Sequence, residues 1–144
     1  MARFRQDLKV ARLKGLPLFA DLSRRQLIEV ARLTDDLEVP GGTVLCEVGS
    51  RGDEFFVIID GEAVVTRHGE ELATLGSGDF FGEIAVIEPV RRTATVTAVT
   101  PLRFFLVSER SFRSLLDTNP EIERKVLRTL ARRLAALSSD PTLS

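Results

Sequence analysis

The spacing of apolar positions changes at two points along the chain. Up to about residue 33 they recur at the three- and four-residue intervals of amphipathic helices, with an interruption at Gly15 and Pro17. From residue 34 to 108 they fall in short runs of strand length, separated by glycine-bearing turns. After Ser108 the helical spacing returns. The pattern therefore predicts helices, then a β-region, then helices.

Several of the helix ends carry capping signals. Ser23, with Gln26 three residues later, has the pattern of a capping box, and Ser108 is positioned to cap a later helix. Asn119 followed by Pro120 predicts a cap and the start of the last helix, because proline is well tolerated at the first helical position. Five residues of that helix have the spacing of one apolar stripe: Ile122, Val126, Leu130, Leu134 and Leu137.

The β-region predicts seven or eight short strands, which is typical of a sheet closed on itself. The runs are Leu37–Val39, Thr43–Val48, Phe55–Ile59, Ala63–Thr66, Leu72–Leu75, Thr93–Val99 and Arg103–Val107. We therefore expect an α+β, mainly β, fold: an eight-stranded β-roll or jelly roll flanked by N-terminal helices and two C-terminal helices. The expected single domain spans residues 1–144, with helices at 1–33, the roll at 34–108, helices at 109–137 and a frayed tail at 138–144.

Composition and charge exclude several classes of protein. The 144 residues are 44% apolar and 28% charged, as in soluble globular domains, and no apolar stretch is long enough for a transmembrane helix. The formal net charge of −1 gives no electrostatic footprint for nucleic acid or an anionic membrane. The single cysteine, Cys46, excludes an internal disulfide, and a cytoplasmic location is expected.

The scarcity of histidine argues against an enzyme. His68 is the only histidine, so neither a three-histidine metal site nor a cupin-type metal centre is available. It lies beside Gly69 in a predicted hairpin turn, where an exposed turn residue is favoured over a catalytic base. We expect no catalysis, no metal and no cofactor.

One glycine-rich stretch interrupts the β-alternation. Gly82 precedes a predicted turn of helix at Glu83–Val86, and a helix N-terminus offers free N–H groups to an anion. Arg92 has the side chain best shaped for bidentate binding of a phosphate. Glu83 would repel a phosphate but would accept a hydrogen bond from a hydroxyl of the same ligand. Together these residues indicate a nucleotide or a sugar phosphate; a structural Glu83–Arg92 ion pair is the alternative.

This stretch resembles the phosphate-binding cassette of the cyclic nucleotide-binding domains of protein kinase A regulatory subunits, catabolite activator proteins and cyclic-nucleotide-gated channels. The resemblance rests on Phe81-Gly82-Glu83-Ile84-Ala85 and Arg92-Thr93-Ala94, with Gly49, Gly52-Asp53 and Ile58-Ile59-Asp60-Gly61 upstream. It implies a cassette at 81–94 and extends from the N-terminal helices to the last helix. The proline that often precedes the family's phosphate arginine is absent. Arg91 stands there and Pro89 comes earlier, so Arg91 is a second candidate.

The resemblance also implies roles for individual residues. Glu83 would hold the ribose 2′-hydroxyl and Arg92 the cyclic phosphate. Thr93 would touch the phosphate or a guanine amino group, and Arg133 would cap the base. The phosphate cradle would be completed by backbone N–H groups of Ile84, Ala85 and Ala94, and the base would lie between Val65, Ala73 and Leu75.

The sequence thus indicates a non-catalytic sensor module for a cyclic nucleotide, with cyclic AMP as first choice and cyclic GMP as second. The last helix is expected to close over the ligand. The effector would be a protein in trans or a missing output domain, with no nucleic acid and no membrane insertion, and the oligomeric state stays open. The alternative is a degenerate domain of the same fold that serves protein interaction or dimerisation without nucleotide.

Overall fold

The computed structural model describes residues 2–88 and 90–137, so Pro89 and the predicted tail at 138–144 lie outside the described residues. The helices are α1 (Ala2–Lys14), α2 (Arg24–Leu33), α3 (Glu83–Ile87), α4 (Glu109–Thr118) and α5 (Pro120–Leu137), with a 3₁₀ turn at Pro17–Phe19. The strands are β1 (Thr34–Val39), β2 (Val44–Cys46), β3 (Glu54–Asp60), β4 (Ala63–Arg67), β5 (Glu70–Leu75), β6 (Phe80–Phe81), β7 (Thr95–Ala98) and β8 (Leu102–Ser108). None of the described helices is both long and apolar enough to cross a lipid bilayer.

The eight strands form two four-stranded antiparallel sheets, in the orders β1-β8-β3-β6 and β2-β7-β4-β5. The predicted fold class, an α+β chain with a β-roll between helices, is confirmed. Seven of the strands correspond to the seven predicted runs. The additional strand is β6, which is only two residues long. It pairs Phe81 with Phe56 and Phe80 with Val57 on β3, which holds the start of the predicted cassette against the sheet.

Strand β3 explains how the helices and the roll share one structure. Four consecutive residues, Phe55 to Ile58, are buried because both faces of this strand are covered. Phe55 points to the helices and stacks on Phe112 of α4, with ring centroids 3.9 Å apart. Phe56 points into the roll and stacks on Phe81, with centroids 4.5 Å apart. The same sheet therefore supports the C-terminal helices on one face and the cassette on the other.

The helix caps agree with the sequence in two of three cases. The Ser23–Gln26 capping box is present, and Ser108 caps α4 by accepting from the backbone N–H of Ser111. The predicted cap of α5 by the Asn119 side chain is wrong. Its amide nitrogen donates to the Leu115 carbonyl at the end of α4, 3.0 Å away, and its oxygen accepts from Gln26.

The predicted apolar stripe on α5 holds only for the first half of that helix. Ile122 and Val126 are buried and Leu130 is half-buried, whereas Leu134 is 62% exposed. The Leu137 side chain lies outside the description. The stripe ends because α5 leaves the core after about two turns, and the following residues include Arg133 and Ala136, which line a cavity in the roll.

Candidate functional site

A cavity of about 250 Å³ opens between the second sheet, helix α3 and the C-terminal half of α5. Twelve of the thirteen residues predicted for the site line it, and they come from five separate elements and the segment before β7. They are Val65, Ala73, Leu75, Phe81, Gly82, Glu83, Ile84, Ala85, Arg92, Thr93, Ala94 and Arg133. The fold therefore brings the predicted phosphate, ribose and base groups to one place.

Arg92 is a buried cation at the wall of this cavity, with 7% of its surface exposed. Its guanidinium donates to two backbone carbonyls, that of Gly82 at 3.0 Å and that of Glu54 at 2.8 Å. Within residues 2–88 and 90–137, no carboxylate forms an ion pair with it. A buried charge is normally paired, because removing it from water costs several kcal/mol, on the order of 5 or more. Arg92 is therefore a candidate partner for an anionic ligand group.

Arg91, the second candidate for the phosphate, lies outside the cavity. Its side chain is exposed and donates to the Gly49 carbonyl at 3.2 Å. The two neighbouring arginines lie on different sides of the segment before β7, and only one of them lines the cavity. The inward one is Arg92, the residue followed by Thr93 and Ala94.

Two glycines make room for the Arg92 side chain. A Cβ atom at Gly52 would lie 2.3 Å from the Ala85 Cβ and 2.8 Å from the Arg92 Nε. At Gly82, where φ is +92°, a Cβ would lie 2.8 Å from the Arg92 Nη1 and 2.7 Å from the Glu54 carbonyl. These distances are too short for any side chain. The glycines of the motif thus position the arginine as well as shape the loop.

Glu83 is the first residue of α3 and has 3% of its surface exposed. Burial raises its pKa above the ordinary carboxyl value, and the nearby Arg133 opposes this by favouring the ionised form. The carboxylate Oε1 lies 2.7 Å from the Arg133 Nη1. The buried acid is therefore held by a charge partner, and its second oxygen remains the candidate acceptor for a ligand hydroxyl.

Arg133 reaches the cavity from α5, but its guanidinium is engaged on the protein. Besides the Glu83 carboxylate, it donates to the Phe80 carbonyl, and its Cζ lies 4.9 Å from the centroid of the Phe80 ring. Its side chain is about one third exposed, and its contacts are with the protein rather than with solvent alone. The geometry therefore pairs Arg133 with Glu83, whereas the resemblance implied a guanidinium placed above the base.

Five residues of the cavity wall were missed by the sequence analysis: Cys46, Arg67, Leu72, Val96 and Ala136. Val96 is paired with Val65 across β4 and β7, so the register of the sheet determines its position. Ala136 lies one helical turn after Arg133. Cys46 is buried, and burial raises its pKa to about 11, although Arg92 opposes the shift. The thiol is therefore protonated near neutral pH and serves as a small apolar wall.

Comparison with known proteins adds an independent line of support. The family model "Cyclic nucleotide-binding domain" matches residues 36–119. The chain is 36% identical over 119 residues to a cyclic nucleotide-gated potassium channel of Rhizobium etli, covering 83% of this chain and 33% of the channel. It is 40% identical over 107 residues to the cAMP-dependent protein kinase regulatory subunit of Yarrowia lipolytica, covering 72% of this chain and 28% of that protein. The chain thus spans about a third of the length of these curated relatives.

The fold is also shared with solved structures. The structure described as "cAMP bound PfPKA-R" superimposes with a TM-score of 0.85 at 26% identity, covering 94% of this chain and 47% of that one. The aligned region includes almost all of this chain, so the likeness extends to the helices on both sides of the roll.

Proposed function

The chain belongs to the cyclic nucleotide-binding domain family, and on this premise we propose that it binds a cyclic nucleotide, with cyclic AMP as the first candidate, without catalysing a reaction on it. The proposal treats residues 1–144 as one sensor domain. It assigns the ligand to the cavity between the second sheet, α3 and α5. Its effector is a protein in trans or an output domain elsewhere in a longer chain, and the proposed compartment is the cytoplasm.

The observation that carries the proposal is the buried guanidinium of Arg92. A cyclic phosphate is a monoanion, and it would supply the charge that no described carboxylate gives this side chain. The first N–H groups of α3 have no acceptor inside the helix, so those of Ile84 and Ala85 are available to the same phosphate. Glu83 and Arg133 cancel each other's charge, which leaves Arg92 as the net charge of this end of the cavity.

The remaining walls suit a nucleoside. Glu83 is the acceptor proposed for the ribose 2′-hydroxyl, because its carboxylate is buried at the cavity and can take a further hydrogen bond. Val65, Ala73 and Leu75 supply apolar surface for the faces of a purine. Thr93 and Ala94 complete the wall beside Arg92. One cavity thus combines a candidate phosphate partner, a hydroxyl acceptor and apolar surface, which are the three kinds of group that a cyclic nucleotide needs.

Helix α5 is proposed as the element that reports binding. Its Arg133 and Ala136 line the cavity, while its first half packs in the core through Ile122 and Val126. A ligand that contacts the second half would therefore bias the position of the helix end relative to the roll. The free energy for this shift would come from ligand contacts that are more favourable in the closed arrangement.

The interaction-module alternative has one observation in its favour. Leu127 and Leu134 on the outer face of α5 are 60% and 62% exposed. This surface does not conflict with nucleotide binding, because it lies on the side of α5 away from the cavity. The intact pair of Glu83 and Arg92 argues against a domain that has lost its ligand.

Equilibrium binding of cyclic AMP to the nucleotide-stripped chain, with 5′-AMP as the control ligand, tests the proposal. A saturable one-to-one complex with cyclic AMP, bound at least tenfold more tightly than 5′-AMP, is expected, because the second phosphate charge of 5′-AMP has no partner beside Arg92. Equal affinity for cyclic AMP and 5′-AMP would contradict the proposal, and so would a chain that binds neither cyclic AMP nor cyclic GMP.

A further inference from the structure

One cation of the cavity wall has no assigned contact, either with the described residues or with the proposed ligand. Three arginines line the cavity, and two of them are engaged: Arg92 with two carbonyls, and Arg133 with Glu83. Arg67 is the third. Its side chain is exposed at the end of β4, and no hydrogen bond or ion pair joins it to another of the described residues, its cross-strand neighbour Glu70 included.

The sheet register places Arg67 at the mouth of the cavity. The pairing of β4 with β7 runs through Val65–Val96 and ends at Thr66–Thr95. Continuing it by one residue brings Arg67 level with Ala94, next to Thr93. Val65 lies two residues earlier along the same strand, about 7 Å away at the usual rise. Val65 and Arg67 both line the cavity. Arg67 therefore lies beyond the apolar wall that is proposed for the base.

The chemistry of a guanidinium restricts what it can contact there. It donates and never accepts, and its planar fork matches two neighbouring acceptors. Guanine presents two acceptors, O6 and N7, on one edge, whereas adenine presents N7 beside the donor N6 amino group. The phosphate already has Arg92 and the N–H groups of α3 on the inner wall. The base edge is therefore the part of the ligand left for Arg67.

From this juxtaposition we infer that Arg67 is a specificity-determining residue that contacts the O6 and N7 edge of guanine, so that the cavity accepts cyclic GMP as well as cyclic AMP. The inference rests on the proposed function, because it assigns the base end of the same ligand. Thr93 alone would not distinguish guanine from adenine, since a hydroxyl both donates and accepts hydrogen bonds.

The test compares three nucleotides with wild type, Arg67→Ala and Arg110→Ala. Arg110 is the matched control, an exposed arginine on α4 that does not line the cavity. Cyclic IMP is the key probe, because it keeps O6 and N7 but lacks the 2-amino group that Thr93 would contact. Calorimetric titration gives the three dissociation constants for each chain, and circular dichroism checks that each variant is folded.

Arg67→Ala is expected to weaken cyclic GMP and cyclic IMP each by about tenfold, the size of one bidentate base contact, and cyclic AMP by less than about threefold. Arg110→Ala should leave all three unchanged. An equal loss for the three nucleotides, or no loss for any, would overturn the inference while leaving the proposed function intact. Failure of wild type to bind any of the three would overturn both.

Discussion

The guanidinium of Arg133 lies 2.7 Å from the carboxylate of Glu83, and this ion pair joins α5 to α3 across the cavity. The two residues are fifty positions apart in the sequence. Glu83 is almost completely buried, while about a third of the Arg133 side chain is exposed. The pair therefore connects the buried acid proposed to bind the ribose with the end of the helix proposed to move. A change at either residue is expected to affect the other.

Arg133→Ala is the variant that separates two roles for this arginine. If Arg133 acts through Glu83, its loss leaves a buried acid without its charge partner, and the ribose contact weakens whatever the base. We expect cyclic AMP and cyclic GMP to lose affinity equally, by about thirtyfold, the lower range for breaking a partly buried charge pair. Titrations with both nucleotides measure this. A loss confined to one nucleotide would instead support the base-capping role that the family resemblance implies.

The 2′-hydroxyl supplies a second readout for the same variant. Wild type should bind cyclic AMP more tightly than its 2′-deoxy analogue, because Glu83 accepts a hydrogen bond from the hydroxyl. In Arg133→Ala this preference should shrink, since the unpaired Glu83 is more readily protonated. An unchanged preference would show that Arg133 does not act through the ribose acid.

The pH dependence of stability follows from the raised pKa of Glu83. Burial raises the folded-state pKa above the ordinary value of 4.5, more than Arg133 lowers it. The contribution of Glu83 to the free energy of unfolding is therefore fully present below pH 4.5, and it is lost as the pH rises through the folded-state pKa. Glu83→Gln removes the titration, so the stability of wild type relative to the variant should fall as the pH rises.

Urea unfolding of both chains between pH 4 and pH 8 measures that difference. Glu62→Gln, at an exposed position, is the control and should show no such trend. If the stability of wild type relative to Glu83→Gln stays constant, or increases as the pH rises, the assignment of a raised pKa to Glu83 is contradicted. The same variant should also bind cyclic AMP more weakly, because a neutral amide is a poorer acceptor than a carboxylate.

Gly52→Ala tests whether the upstream glycine positions the phosphate arginine. The new methyl group would lie 2.8 Å from the Arg92 Nε and 2.3 Å from the Ala85 Cβ, so both groups must move. We expect a loss of about 1–3 kcal/mol of stability, as for other overpacked sites, together with weaker nucleotide binding. Gly76→Ala is the matched control, since a methyl group there meets nothing within 4 Å. Equal behaviour of the two variants in thermal unfolding and titration would refute this role.

The sequence predicts the fold well because its local signals agree with one another. The change from helical to strand spacing occurs at residue 34, where α2 ends and β1 begins, and the Ser23 and Ser108 caps are where their patterns indicate. It misses β6 because two residues are too few for a periodic signal. It misjudges Asn119 and Leu134 because their surroundings depend on how α5 packs against α2 and α4, which no local pattern encodes.

The site is predictable as far as short motifs reach. Glu83 and Arg92 lie within the single stretch 81–94, so a short motif is enough to nominate both as candidates. The pairing of Glu83 with Arg133 depends on the direction that α5 takes after Val126, so it appears only in three dimensions. Arg67 has no motif around it, and the β4–β7 register alone brings it to the cavity. Arg91 and Arg92 are adjacent in the sequence, so only the structure shows which of them faces the cavity. Arg91 lies on the outer side.

Arg92 is the residue proposed to hold the phosphate of a cyclic nucleotide. The most direct test of this role is calorimetric titration of cyclic AMP into nucleotide-stripped wild type, Arg92→Ala and Arg91→Ala. Wild type and Arg91→Ala should bind at micromolar concentration or tighter with one site per chain. Arg92→Ala should lose about 2–5 kcal/mol of binding free energy, and some stability, because the carbonyls of Gly82 and Glu54 lose their donor. Affinity that survives in a folded Arg92→Ala chain, or that is lost in Arg91→Ala instead, would contradict this role of Arg92.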